Sequence, residues 1–164
     1  PRVIRVMPNT PALVLSSISA LCKNEAADEK DLALAESIFK AIGETVRVEE
    51  TQLDAVTGLS GSGPAYVFTI LEGLTAAGVK MGLSQSIALK LAVQTLWGAS
   101  QLARQMDWPL SQLKDMVTSP GGTTIHGLHV MEKAGLKGIL MDAVEAATLR
   151  SKELGATLLK KSQE

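Results

Sequence analysis

The chain has 164 residues, a formal net charge of −1 and 46% hydrophobic residues, which is enough for about one ordinary core. Its basic residues are scattered, so no single face is basic enough to bind nucleic acid. The single cysteine, Cys22, excludes an internal disulfide and a cysteine-based metal cluster, and its apolar neighbours predict a buried position. Scarce aromatic residues and abundant alanine, leucine and glycine favour closely packed helices.

The first fifty residues alternate strand, strand, helix, strand. Apolar runs predict strands at 3–7, 17–23 and 45–48, and helical periodicity predicts a helix at 29–42. Gly43 stands where a glycine cap ends such a helix. This order resembles one end of a larger α/β sheet.

After residue 50 only helices are predicted. Their expected ranges are 53–59, 64–82, 84–104, 109–117, 124–134 and 136–160. The glycine-rich turn at 58–63 follows a helix, whereas a dinucleotide-binding loop follows a strand. We therefore interpret it as a close-packed elbow between helices, with Pro64 in the first turn of the next one.

Two predicted helices are apolar over most of their circumference. The segment 64–83 is long enough to span a bilayer, but Glu72 and Lys80 would be costly in lipid, so we expect no membrane span. The segment 87–103 needs burial on nearly every side. A second, identical chain would supply that burial. The alternative is a compact monomer with this helix at its centre.

Residues 118–124 are the most informative stretch, because two glycines and several hydroxyl residues precede a helix start. Glycine lets the backbone approach a ligand closely, and the free N–H groups of a helix start favour an anion. Thr123 and Thr124 could cap the helix and donate to the ligand. The sequence thus predicts a site for a small anion. A plain glycine turn with a threonine cap and no ligand is the alternative.

Three further polar groups are candidates. Asn9 and Thr10 follow the first strand, where α/β sheets bind ligands, although a plain turn is the alternative. Glu49 and Glu50 are either a solvated pair or place one carboxylate near a cation. The two histidines, at positions 126 and 129, lack the partners of a metal site, so we expect a structural or surface role and no bound metal.

Four motifs together resemble one known family, pyrroline-5-carboxylate reductase. Their order and spacing match that family along essentially the whole chain. The motifs are Arg5-Val6-Met7-Pro8-Asn9-Thr10-Pro11, the stretch 54–66, Leu113-Lys114-Asp115, and Thr118-Ser119-Pro120-Gly121-Gly122-Thr123-Thr124-Ile125.

The resemblance implies a mainly α chain. Residues 1–50 would be the last strands and helix of a truncated Rossmann-like α/β domain, and residues 51–164 a helical dimerisation and substrate domain. The family's glycine-rich cofactor fingerprint is not among these residues, so we expect a C-terminal portion that is inactive alone.

The resemblance also implies a function: reduction of 1-pyrroline-5-carboxylate to L-proline by NADPH or NADH, in a homodimer or higher homo-oligomer. The cytoplasm is the expected compartment, with the mitochondrion as the alternative. Two other functions remain open. One is a helical dimerisation module without activity, and the other is a reductase of a related cyclic imine.

Site residues follow from the same resemblance. Thr124 would be catalytic, with its hydroxyl near the ring nitrogen, and Glu50 would favour the cationic iminium. The substrate-binding set is Glu50, Ser119, Gly122, Thr123 and Thr124. Asn9 and Thr10 would lie beside the nicotinamide.

Overall fold

The structure, a computed structural model, describes residues 1–161 and the side chains of residues 1–157. Its contacts divide the chain into two compact units. The first unit contains residues 1–66 and the segment from Leu140 onward, and the second contains Val67–Ile139. Each unit is described by itself below.

The first unit contains a three-stranded sheet of order β1-β2-β3, made of β1 (Ile4–Met7), β2 (Ser17–Lys23) and β3 (Gly43–Arg47). β2 pairs antiparallel with β1 and parallel with β3. As the central strand it carries the buried residues Ala20, Leu21 and Cys22. The predicted strands are confirmed, and the third begins two residues earlier than the sequence indicates.

Helix α1 (Glu29–Phe39) connects β2 to β3, and a 3₁₀ turn, Lys40–Ile42, completes the predicted helical segment. Asp28 caps α1, because one of its carboxylate oxygens accepts from the backbone N–H groups of Lys30 at 2.8 Å and Asp31 at 3.0 Å. These two donors favour the ionised carboxylate and lower the pKa of Asp28. The capping box therefore fixes where the helix begins.

The glycine-rich turn does not break the helix as the sequence suggests. Helix α2 (Leu53–Val56) continues as a π-helical turn, Thr57–Gly61, which leads directly into α3 (Gly63–Lys80). A Cβ atom on the buried Gly58 would lie 2.3 Å from Oγ1 of Thr148. The expected close packing is thus confirmed, and its partner is α7 (Leu136–Lys161). The hydroxyl of Ser151 also donates to Asp54 at 2.6 Å.

The second unit is helical and holds most of α3 together with α4 (Gln85–Gln105), α5 (Leu110–Met116) and α6 (Thr123–Lys133). The hydroxyl of Ser84 accepts from the N–H of Ile87 and caps α4. The sequence predicts six helices after residue 50, and α2 to α7 confirm them within the described part of the chain. None of the helices within residues 1–161 is long and apolar enough to cross a membrane.

Gly43 is the glycine that the sheet requires. Its φ is 152°, and an added Cβ would lie 2.1 Å from the carbonyl oxygen of Ser17 on β2. We expect Gly43→Ala to lower the free energy of unfolding by at least about 2 kcal/mol, because both the backbone and the strand pairing must shift. Chemical denaturation measures this change.

Gly155→Ala is the matched control. A Cβ at Gly155 meets no atom within 4 Å, so this variant should be neutral or more stable by up to about 1 kcal/mol. Equal stability of the two variants would contradict the role assigned to Gly43.

Candidate functional site

The loop before α6 is arranged by its two glycines. Gly121 has a φ of 67°, and the N–H of Gly122 donates to the carbonyl of Ser119 at 3.0 Å. Gly122 is itself the N-cap, with extended backbone and no side-chain cap on the helix. The prediction that a threonine caps α6 is therefore wrong, because Thr123 and Thr124 already belong to its first turn.

Gly122 also gives the Ser119 hydroxyl its room. A Cβ at Gly122 would lie 2.2 Å from Oγ of Ser119. The hydroxyl can occupy this position because residue 122 has no side chain. Gly122 thus shapes the loop, and its own N–H is already used.

Several donors in this loop remain free. The N–H groups of Thr123 and Thr124 open α6 and, like any first-turn amide, have no acceptor inside the helix. No acceptor for them, or for the hydroxyls of Ser119, Thr123 and Thr124, is found within the described residues. Ser119 and Thr123 are exposed and Thr124 is half-buried. These donors lie within one loop and the first turn of α6, where they are available to an anion.

The two histidines of α6 are exposed, as a surface role would require. Nδ1 of His126 lies 2.9 Å from the carbonyl oxygen of Gly122, so this ring contacts the loop from inside α6. Across residues 1–161, no group of three or more histidine, cysteine, aspartate or glutamate side chains has the arrangement of a metal site.

Asn9 and Thr10 lie in the first unit, directly after β1. Oδ1 of Asn9 accepts from the Ser17 hydroxyl and from the N–H of Ile18, both at 3.1 Å. Its Nδ2 donates to the carbonyl of Ser60 at 3.2 Å. The Asn9 amide therefore joins the end of β1 to β2 and to the π-helical turn. Thr10 is exposed and its hydroxyl has no partner among the described residues.

Glu50, also in the first unit, is not a free solvated carboxylate. One oxygen forms an ion pair with Nη1 of Arg5, and the other accepts from Sγ of Cys22 at 3.2 Å. Its neighbour Glu49 has a different role, since the Glu49 N–H donates to Oε1 of Gln52 at 2.8 Å and starts the 3₁₀ turn Glu50–Gln52. Sequence reasoning missed Arg5 and the Cys22 contact, because both depend on strand register.

The candidate residues thus form two groups. Asn9, Thr10 and Glu50 belong to the first unit. The second unit brings together Ser119, Gly122, Thr123 and Thr124 in one loop and one helical turn. The second group has the free donors of an anion site, and the first group has a carboxylate and a free hydroxyl.

Comparisons with known proteins indicate the family of this chain. Residues 50–154 match the family described as pyrroline-5-carboxylate reductase dimerisation. A pyrroline-5-carboxylate reductase of Synechocystis sp. is 49% identical over 153 residues, which are 93% of this chain and 57% of that protein. The chain therefore spans a little over half the length of this curated relative.

Two solved structures agree with this match. A Plasmodium falciparum pyrroline carboxylate reductase with NADP bound is 40% identical with a TM-score of 0.89, over 94% of this chain and 62% of that one. A Coxiella burnetii pyrroline-5-carboxylate reductase is 42% identical with a TM-score of 0.90, over 93% of this chain and 57% of that one. The chain belongs to the pyrroline-5-carboxylate reductase family.

Proposed function

We propose that the full-length protein read from the complete gene reduces 1-pyrroline-5-carboxylate to L-proline with NADPH or NADH. The observation that supports this most is the group of free donors at the start of α6. The substrate is a small ring that carries one carboxylate and one protonatable imine nitrogen. A reductase needs an anion site for the first and an acceptor near the second.

The substrate carboxylate would bind at the start of α6. The N–H groups of Thr123 and Thr124 and the hydroxyl of Ser119 have no other partner within the described residues. A carboxylate there gains charge-assisted hydrogen bonds, and the helix dipole adds to the attraction. Gly122 contributes by leaving space for the Ser119 hydroxyl.

The ring nitrogen would lie near Thr124, whose hydroxyl can donate to the lone pair of the neutral imine nitrogen. Glu50 would accept a hydrogen bond from the protonated nitrogen, which favours the iminium and makes the C=N carbon a better hydride acceptor. Because Glu50 is already paired with Arg5, we assign this effect to hydrogen bonding more than to net charge. The chain would then contribute mostly by positioning the substrate.

The nicotinamide cofactor supplies the hydride when bound. Thr10 fits a place beside it, since its hydroxyl is exposed and unused within residues 1–161. Asn9 would contribute by positioning Thr10, because the hydrogen bonds of the Asn9 side-chain amide hold the loop in which Thr10 lies. The NADP named for the Plasmodium falciparum structure supports a nicotinamide cofactor here.

We also propose that residues 1–50 end a dinucleotide-binding domain and residues 51–164 form the helical domain. The family match supports this boundary, since it begins at residue 50. The cytoplasm remains our predicted compartment, with the mitochondrion as the alternative.

A homodimer or larger homo-oligomer is the proposed assembly. On α4, Ala88 and Ala92 are buried, whereas Ile87 and Leu91 are 52% and 54% exposed. Leu102, three turns beyond Leu91, is 43% exposed and extends the same apolar stripe. A second copy would remove this stripe from water, as the dimerisation family implies.

The first test replaces Thr124 in the full-length protein. We expect Thr124→Ala to lower kcat by about 100-fold, because a hydroxyl beside the reacting nitrogen is lost. Thr124→Ser, which keeps the hydroxyl, should recover most of the rate. Steady-state cofactor oxidation with 1-pyrroline-5-carboxylate measures both variants.

Thr118→Ala is the matched control. The Thr118 hydroxyl donates to the carbonyl of Lys114 at the end of α5, so its loss should leave kcat unchanged. An unaltered rate in Thr124→Ala would remove Thr124 from the mechanism.

A second test concerns the assembly. Leu91→Glu places a charge on the exposed apolar stripe and should weaken self-association by at least about 100-fold in Kd. Lys90→Glu also adds an acidic side chain to the same helix, about 100° away around its axis, and should leave Kd much less affected. Sedimentation equilibrium on the wild type and both variants measures the Kd of self-association. A monomeric wild type would contradict the proposed oligomer.

A further inference from the structure

We propose that Arg5 and Cys22 form a two-point clamp that fixes the Glu50 carboxylate in the orientation needed to accept from a cationic ring nitrogen. Arg5 is then a positioning residue that acts through Glu50. This inference rests on the proposed function for its ligand, but not for its geometry.

The register of the sheet builds the clamp. Arg5 on β1 and Cys22 on β2 are direct cross-strand partners, so their side chains project from the same face. Glu50 lies against this face, at the start of the 3₁₀ turn that follows β3. The guanidinium Nη1 of Arg5 donates to one carboxylate oxygen, and the Cys22 thiol donates to the other at 3.2 Å. Two strands thus hold the two oxygens of one carboxylate.

The two contacts together restrain the carboxylate. The side chains of Arg5 and Glu50 are 60% and 57% exposed, and an ion pair this exposed restrains orientation only weakly. Cys22 is different, since it is 3% exposed and belongs to the buried cluster with Ala20 and Leu53. With Cys22 in the core holding one oxygen and Arg5 holding the other, the carboxylate has little freedom to rotate.

The clamp leaves Glu50 able to bind a ligand. Each carboxylate oxygen can accept about two hydrogen bonds, and one on each is used. The Glu50 side chain is 57% exposed, which leaves room for a further donor. With its orientation fixed in advance, a cationic N–H donor can bind without ordering the side chain first.

The first experiment tests the clamp without measuring enzyme activity. Cys22 is among the residues that line a cavity next to α1, but it is only 3% exposed, so a small alkylating reagent should react with its thiol slowly. The rate at Cys22 is measured with iodoacetamide by mass spectrometry of its peptide, in the full-length protein. Glu50→Gln should raise that rate about fivefold, because it removes the negatively charged oxygen to which the Cys22 thiol donates.

Arg5→Gln should change the rate in the opposite direction, since it leaves the Glu50 charge next to the thiol without a counter-ion. General loosening of the sheet would instead raise the rate in both variants. Glu49→Gln removes the same charge one residue away and should leave the rate unchanged. Equal rates in all four proteins, or a rise in both Arg5→Gln and Glu50→Gln, would overturn the clamp.

The second experiment tests the positioning. Arg5→Gln should raise KM for 1-pyrroline-5-carboxylate about tenfold while KM for the cofactor stays unchanged, and Arg5→Lys should restore part of the loss. In a Glu50→Gln background, Arg5→Gln should add nothing, because its effect passes through Glu50. Fully additive losses would overturn the positioning role.

The two experiments separate the possible failures. If the alkylation rates follow the predicted opposite directions but the wild-type protein does not turn over 1-pyrroline-5-carboxylate, the proposed function is wrong while the clamp stands. If turnover is normal and the alkylation rates do not change, the clamp is wrong and the proposed function stands.

Discussion

The first turn of α6 leaves backbone N–H groups that the helix itself cannot pair, and the candidate anion site of the second unit depends on this constraint. The N–H of Gly122 donates to the carbonyl of Ser119 and is therefore not available to a ligand. The backbone donors that remain are the N–H groups of Thr123 and Thr124. Their hydroxyls and that of Ser119 add donors to the same place. An anion would satisfy both the free amides and the helix dipole.

In the first unit, by contrast, polar side chains near the strand ends are already engaged. Asn9 connects three segments through its amide, and Glu50 is held by Arg5 and Cys22. These contacts fix the segments that carry the few remaining free groups, such as the Thr10 hydroxyl.

Much of the fold could be predicted, because hydrophobic periodicity and glycine or proline boundaries act locally. The strand 17–23 and the start of α4 after Ser84 coincide with their predictions. The glycine-rich loop before α6 could be recognised for the same reason. The errors arise where tertiary contacts decide. The approach of Gly58 to α7 accompanies a π-helical turn instead of a break, and Gly122, not a threonine, caps α6. Likewise, the Arg5–Cys22 pairing depends on a register that no local pattern specifies.

A crystal structure of the full-length protein with bound proline tests the central claim most directly. We predict that the proline carboxylate lies within about 3 Å of the N–H groups of Thr123 and Thr124, as charge-assisted hydrogen bonds require. The Ser119 hydroxyl should complete its coordination. A proline carboxylate bound elsewhere, with those amides paired to protein acceptors or left to solvent, would contradict the claim.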